Sequence, residues 1–244
     1  MHIDNPANTL RQFLLTIRDF PDPGKPLRQA MYVFFDTEKQ NISESLLWDK
    51  IAKVMALSAK IDDTLKDYFS GEEVTAPNWR ANVTTFFSSM NINASIHDHK
   101  KYFTNETLNE LGLLSLLFKT KGEIGKLNNE DIKDIQKQLE ELKETVKQSE
   151  LSNELRRDIL HYINSMIRAL DDYAITGIEP IISATEATMG HAYMSQPFQD
   201  VVQGTEIGSK LKTILKKTIS SINTVEGVVS LGANAVTLLE HFNK

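Results

Sequence analysis

Apolar residues recur at three- and four-residue spacing along nearly the whole chain, and the strict alternation of a half-buried strand is hard to find. That period commits the backbone to helices, because only a helix gathers such positions on one face. The clearest case runs from Asn129 to Tyr173. Ile132, Ile135, Leu139, Leu142 and Val146 form one seam, and Leu155, Ile159, Tyr162, Met166, Leu170 and Tyr173 form another. The short polar connection Ser149 to Ser152 lies between them, so the spacing predicts an antiparallel helical hairpin over about 129–173. Glu130 with Lys133, Asp134 with Lys137, Glu140 with Lys143 and Glu144 with Lys147 predict that one face of the first arm meets water. The expected fold class is all-α, a multi-helix bundle.

The same reading extends to both sides. Asn5 caps a first helix with Pro6 at its start, and Leu10, Phe13, Leu14 and Ile17 share a face that ends at Pro21-Asp22-Pro23-Gly24. A short helix after Pro26 uses Leu27, Met31, Phe34 and Phe35. A long one from Ser43 carries the seam Leu47, Ile51, Val54, Ser58, Ile61, Leu65 and Tyr68, and Gly71 ends it. Thr75 and Pro77 open a helix whose broad face, Trp79, Val83, Phe86, Phe87 and Met90, predicts deep burial. After a polar stretch from Asn91 to Lys101, Thr104 caps an apolar helix through Leu108, Leu111, Leu114, Leu117 and Phe118. Gly122 to Gly125 is the expected boundary between an N-terminal region, 1–122, and a C-terminal region, 126–244, unless the two form one continuous domain. Beyond Gly177 a helix contains Ile181, Ile182 and Ala184, periodicity fades from Gly190 to Gly208, and a helix returns around Leu211 to Ile222. The small-residue segment Val225 to Leu239 is expected to be buried between helices, with Gly232 at a close contact.

Composition narrows the function classes. Cys 0 removes disulfides, thiolate metal sites and cysteine nucleophiles. Hydrophobic residues make up 41% and charged residues 25%, which supports a packed core without a partner. A net charge of −6 opposes generic binding to a phosphate backbone, and Lys210, Lys212, Lys216 and Lys217, interleaved with apolar residues, read as the solvated face of an amphipathic helix. The start, Met1 to Pro6, has neither the basic nor the apolar part of a secretion signal, and no run approaches the roughly 20 apolar residues of a bilayer span. A cytoplasmic location without membrane insertion is the expectation.

Candidate chemistry is sparse. His97-Asp98-His99 offers two imidazoles and a carboxylate but stands alone in a polar connection, where an exposed turn is expected. Asp62-Asp63 and Asp171-Asp172 read as exposed helix faces. Ser165, Ser183 and Ser195 lack a nucleophile elbow, and Gly204 with Gly208 lacks the lysine of a phosphate loop. No metal and no cofactor are therefore expected. Met189, His191, Tyr193, Met194 and Phe198 form an apolar and aromatic group in a weakly periodic connection. Such a group either folds back over the core or binds a partner.

Arg156 and His161 form an Arg-x4-His arrangement that resembles the motif of HEPN ribonucleases, all-helical proteins of bacterial toxin and antiphage systems. The resemblance implies metal-free RNA cleavage by paired protomers, with Arg156 stabilising phosphate charge and His161 handling the proton. That family often places an Asn, Asp or His directly after the arginine, whereas Arg157 stands there, and Asp158 comes one place late. Separately, Leu155-Arg156-Arg157-Asp158-Ile159-Leu160 through Tyr173-Ala174-Ile175-Thr176-Gly177, with the apolar helix to Gly190, resembles uncharacterised helical bacterial proteins found near defence or mobile-element genes. Residues 151–190 carry that resemblance. The leading expectation is a non-enzymatic interaction protein, an adaptor or regulatory component of a bacterial antiphage defence or stress system, with a protein partner or self-association. A HEPN-like ribonuclease is the alternative, and a membrane-active helical effector the third reading.

Overall fold

The computed structural model describes residues 4–37, 42–70, 76–122 and 125–225. Among them the chain is helical with no strand, an all-α multi-helix bundle. It divides into two compact units, one of residues 5–121 and one of 1–4 with 122–244.

In the 5–121 unit, α1 (Pro6–Arg18) is the central element. Its cap is built as the sequence predicts: the Asn8 amide donates to Asn5 Oδ1 at 3.0 Å, and Pro6 occupies a position whose N–H has no helical acceptor. Asn5 also donates through Nδ2 to the Ser115 carbonyl at 3.0 Å, which ties this helix start to α6 (Asn105–Thr120). Leu10, Phe13, Leu14 and Ile17 are fully buried. They pack against α2 (Leu27–Phe34), α3 (Glu44–Tyr68) and α6. Ser43 and Thr104 cap α3 and α6 by accepting from the amides of Leu46 and Thr107.

Two details differ from the sequence reading. The buried seam of α3 runs Val54, Leu57, Ile61, with Ser58 only half-buried. A leucine at the neighbouring position removes more apolar area from water than a serine, which favours burying Leu57. In α4 (Pro77–Ser89) only Trp79, Val83 and Phe86 are buried, while Phe87 and Met90 are half-exposed, so the face is narrower than predicted. Thr75 lies outside the described residues, and Ala76 at the cap position supplies no side-chain bond. The exposed amides of α4 are instead met by Glu110 from α6. The Asn78 and Trp79 amides donate to Glu110 Oε2 at 2.8 and 2.7 Å, placing a carboxylate at the positive end of the helix dipole. The connection that follows is also more ordered than a polar turn. It forms a short helix α5 (Ile96–His99) and a 3-10 turn over Lys100–Tyr102.

In the second unit, α7 (Asn129–Lys147) and α8 (Asn153–Asp171) form the predicted hairpin. Asn128 and Ser152 cap the two arms through the amides of Glu130 and Leu155. Ile135, Leu139, Leu142 and Val146 are buried on α7, facing Ile159, Ile163, Met166 and Leu170 on α8. The short helix α9 (Tyr173–Thr176) ends at Gly177, whose φ of 79° is costly for residues with a Cβ. Then come α10 (Glu179–Met194), α11 (Gln196–Gly204) and α12 (Glu206–Asn223). The helix order closes on itself: α8 packs on α10, α10 on α11, α11 on α12, and α12 returns to α7. The segment from Gly190 to Gly208, expected to be irregular, is helical. Its period is hidden because two breaks, at Ser195 and Thr205, cut it into pieces too short to show a stripe. The expected burial of Val225 to Leu239 falls, beyond Val225 itself, outside the described residues.

The predicted ion pairs on α7 form only in part. Lys143 with Glu140 and Lys147 with Glu144 meet at 3.1 and 2.6 Å. Asp134 pairs instead with Lys217 of α12, which corrects the reading of that lysine as solvated and ties the two helices together. The hydrogen bond from Lys217 holds the Asp134 carboxyl below its ordinary value, opposed by a smaller burial effect. A depressed folded-state value means a contribution present above the unfolded pKa, about 3.9. It is lost as pH falls through the folded value. Asp134→Asn is therefore expected to flatten the acid side of the stability curve, measured by urea denaturation across a pH series. High salt should shrink the difference, since both side chains are partly exposed.

Candidate functional site

The group Met189, His191, Tyr193, Met194 and Phe198 sits at the end of α10 and the start of α11. The structure divides it. Met189 and Phe198 are buried, and Phe198 is fully enclosed. Helix α10 spaces Met189 and Ala192 on the face towards the core, while Tyr193 and Met194 follow on the other side, 52% and 86% exposed. Those two figures leave a large aromatic half-exposed and a large flexible apolar side chain almost wholly exposed at the same helix end. His191 lies between the groups. Its ring packs against Tyr162 of α8 at 5.1 Å and meets Phe198 edge-on at 5.2 Å, 86° between planes. Its Nε2 is buried without a hydrogen bond, 4.0 Å from Asp158 Oδ2.

Tyr162 and Asp158 thus belong to the site although the sequence reading missed them as partners of His191. Both lie on α8 four positions apart, the spacing that places two side chains on one helix face. Nothing in the sequence pairs that face with α10. Other exposed large apolar residues also escaped the reading: Leu46, Trp48 and Met55 on α3, and Leu113 and Leu116 on α6. The signal was available as i,i+7 and i,i+3 apolar pairs lying off the buried stripes.

The structure places the HEPN-like residues on α8 and engages Arg156 with the hairpin turn. Its guanidinium donates through Nη2 to the carbonyls of Ser149 and Leu151 at 2.7 and 3.0 Å, closing the hairpin turn, and its Nε is buried. His161 is exposed and stands edge-on to Tyr162 at 5.3 Å. Arg156→Met is expected to cost about 1.5–3 kcal/mol through the two lost charge-assisted bonds. Chemical denaturation measures it, and a loss within 0.5 kcal/mol, about the scatter for surface changes, would mean that the turn does not depend on this side chain.

His99 is buried rather than in an exposed turn, with Nε2 3.1 Å from the Asn91 carbonyl oxygen and its ring edge-on to Phe86. Burial against an aromatic explains why this histidine belongs to the core. Among the described residues no group of three or more His, Cys, Asp or Glu is placed to hold a metal ion. Asp62 pairs with Arg80 of α4, and Asp171 accepts from Gln136 Nε2 at 2.7 Å. Asp172 is buried where α8 ends, contrary to the exposed face expected, and its carbonyl accepts the amides of Ile175 and Thr176 that start the next turn. Among the described residues no helix is long and apolar enough to cross a membrane. The chain matches no protein-family model, no curated protein and no solved structure.

Proposed function

We propose that the chain is a non-enzymatic helical interaction protein and that the end of α10 is the surface that meets a protein partner. One observation carries this reading: Tyr193, half-exposed, and Met194, almost wholly exposed, close a helix whose neighbouring residues Met189, Ala192 and Phe198 are locked in the core. A rigid base lowers the entropy lost on binding. Tyrosine is favoured at interface centres, and methionine adapts to the surface it meets. The resemblance of residues 151–190 to helical proteins near bacterial defence genes supplies the setting: an adaptor or regulatory component of an antiphage defence or stress system, acting in the cytoplasm.

Size-exclusion chromatography with light scattering, followed by affinity capture from the native host, tests the proposal. Self-association or reproducible capture of the same partner is expected. A strictly monomeric chain that captures nothing reproducibly contradicts it. Because the Arg156 guanidinium is engaged by the hairpin turn, total RNA incubated with the purified protein is expected to stay intact. Cleavage abolished by His161→Ala would replace this reading with the ribonuclease.

A further inference from the structure

The 5–121 unit contains an open cleft of about 840 Å³ between the end of α1, the loop that follows, and α2. Its size falls within the roughly 300–1,000 Å³ of small-molecule sites. Phe20, Pro21, Pro26 and Val33 give the lining an apolar wall, Thr16 and Gln29 are neutral polar, and Asp22 and Lys25 are ionisable. A third, Asp19, is already held by Arg18 through bonds of 2.7 and 3.0 Å. Asp22 and Lys25 form no ion pair among the described residues, with each other or with any other group. Asp22 and Lys25, both solvent-exposed, set opposite charges three positions apart beside that apolar wall, an arrangement that matches the two charges of a zwitterion.

The cleft is also preformed. The Gly24 amide donates to Asp22 Oδ1 at 3.0 Å and the Lys25 amide to the Asp22 carbonyl at 3.2 Å, which sets the turn. The Ile96 and His97 amides donate to the carbonyls of Lys25 and Pro23, each at 2.9 Å, and the Leu27 amide donates to the Ala94 carbonyl at 2.9 Å. Three prolines, at 21, 23 and 26, fix the backbone further. Little ordering remains to be done when a ligand arrives.

We infer that this cleft binds a small zwitterion with an apolar side chain, its ammonium on Asp22, its carboxylate on Lys25 and its side chain against Phe20, Pro21, Pro26 and Val33. A free hydrophobic amino acid and a short apolar peptide share that chemistry. They differ in the separation of their charges, by up to roughly 3.3–3.6 Å for each added residue. The site lies in a different unit from the end of α10 and does not depend on the interaction reading.

The test is calorimetric titration of the full chain with L-phenylalanine, with L-phenylalanyl-L-alanine, and with the single-charge analogues 3-phenylpropionate and phenethylamine. One of the two zwitterions is expected to bind at least about tenfold more tightly than either analogue, the fold-change of one charge-assisted bond. The tighter one identifies the source. Lys25→Met should weaken the zwitterion and phenylpropionate by about tenfold, leaving phenethylamine unchanged, and Asp22→Asn should do the converse. The asparagine keeps an acceptor for the Gly24 amide, so the turn survives, and unchanged melting temperatures verify that both variants fold. Absence of binding by either zwitterion, analogues that bind as tightly as the zwitterions, or variants that bind as wild type would each overturn the assignment.

Discussion

Phe198→Ala is expected to lower the stability of the unit of 1–4 with 122–244 by about 3–5 kcal/mol, the usual loss when a buried aromatic becomes a methyl group. Phe198 is fully buried and stands edge-on both to Tyr162 of α8 at 6.0 Å and to His191 of α10 at 5.2 Å. Its ring therefore joins three helices. Edge-to-face pairs add about 0.5–1.5 kcal/mol each beyond the apolar area buried. A domain stabilised by only about 5–15 kcal/mol has little margin for that loss. Urea denaturation followed by circular dichroism measures it, with Met194→Ala as the control within about 0.5 kcal/mol because that side chain is almost wholly exposed. Equal effects from the two substitutions would mean that the corner of α10 and α11 is not packed as described.

The second large effect concerns two glycines that respond to the same substitution with opposite signs. At Gly208, in the first turn of α12, an added methyl group would collide with the Val201 carbonyl oxygen and Val202 Cα and lie 2.6 Å from the Val202 carbonyl oxygen. All of these are backbone atoms of α11, so no side-chain rotation relieves the clash. The Gly208 amide also donates to Thr205 Oγ1 at 3.1 Å, which fixes the helix start against the same helix. Gly208→Ala is expected to cost about 3 kcal/mol or more, since overpacking against backbone exceeds the ordinary 1–3 kcal/mol range. Gly190, within α10, has nothing within 4 Å of the same methyl position. Gly190→Ala should stabilise by about 0.5–1 kcal/mol through helix propensity alone. Two melting curves decide the matter, and a stabilised Gly208→Ala protein would refute the close approach of α11 and α12.

What could be read in the sequence follows from where each interaction lies along the chain. Caps are local, so Asn5 and Thr104 were legible as caps, and Ser43 as a helix start, from the residue type and the apolar run that follows. The α7–α8 hairpin was legible because its seams persist through long arms. Shorter pieces defeat the same logic. The segment from Gly190 to Gly208 looked irregular, although Pro197 in the first turn of α11 and Thr205 at the cap of α12 were start signals within it. Tertiary choices were not legible at all. Phe198 is buried against Tyr162 of α8 while Tyr193 and Met194 are exposed, and no local pattern announces that partner. Arg156 illustrates the same point. Its spacing to His161 resembles a catalytic pair, yet its guanidinium meets carbonyls of the preceding turn, five and seven positions back.

The interaction reading stands or falls on the double variant Tyr193→Ser with Met194→Glu. Both side chains are exposed, so the variant is expected to melt as the wild type does, within the small range of surface substitutions. Partner capture or self-association should nevertheless fall by at least about tenfold, as the loss of two central contacts implies. The measurement is affinity capture from the native host with light scattering on the same two preparations. Loss of association with unchanged melting is the predicted result; association undiminished in a folded double variant would contradict the assignment of the α10 end as the partner surface.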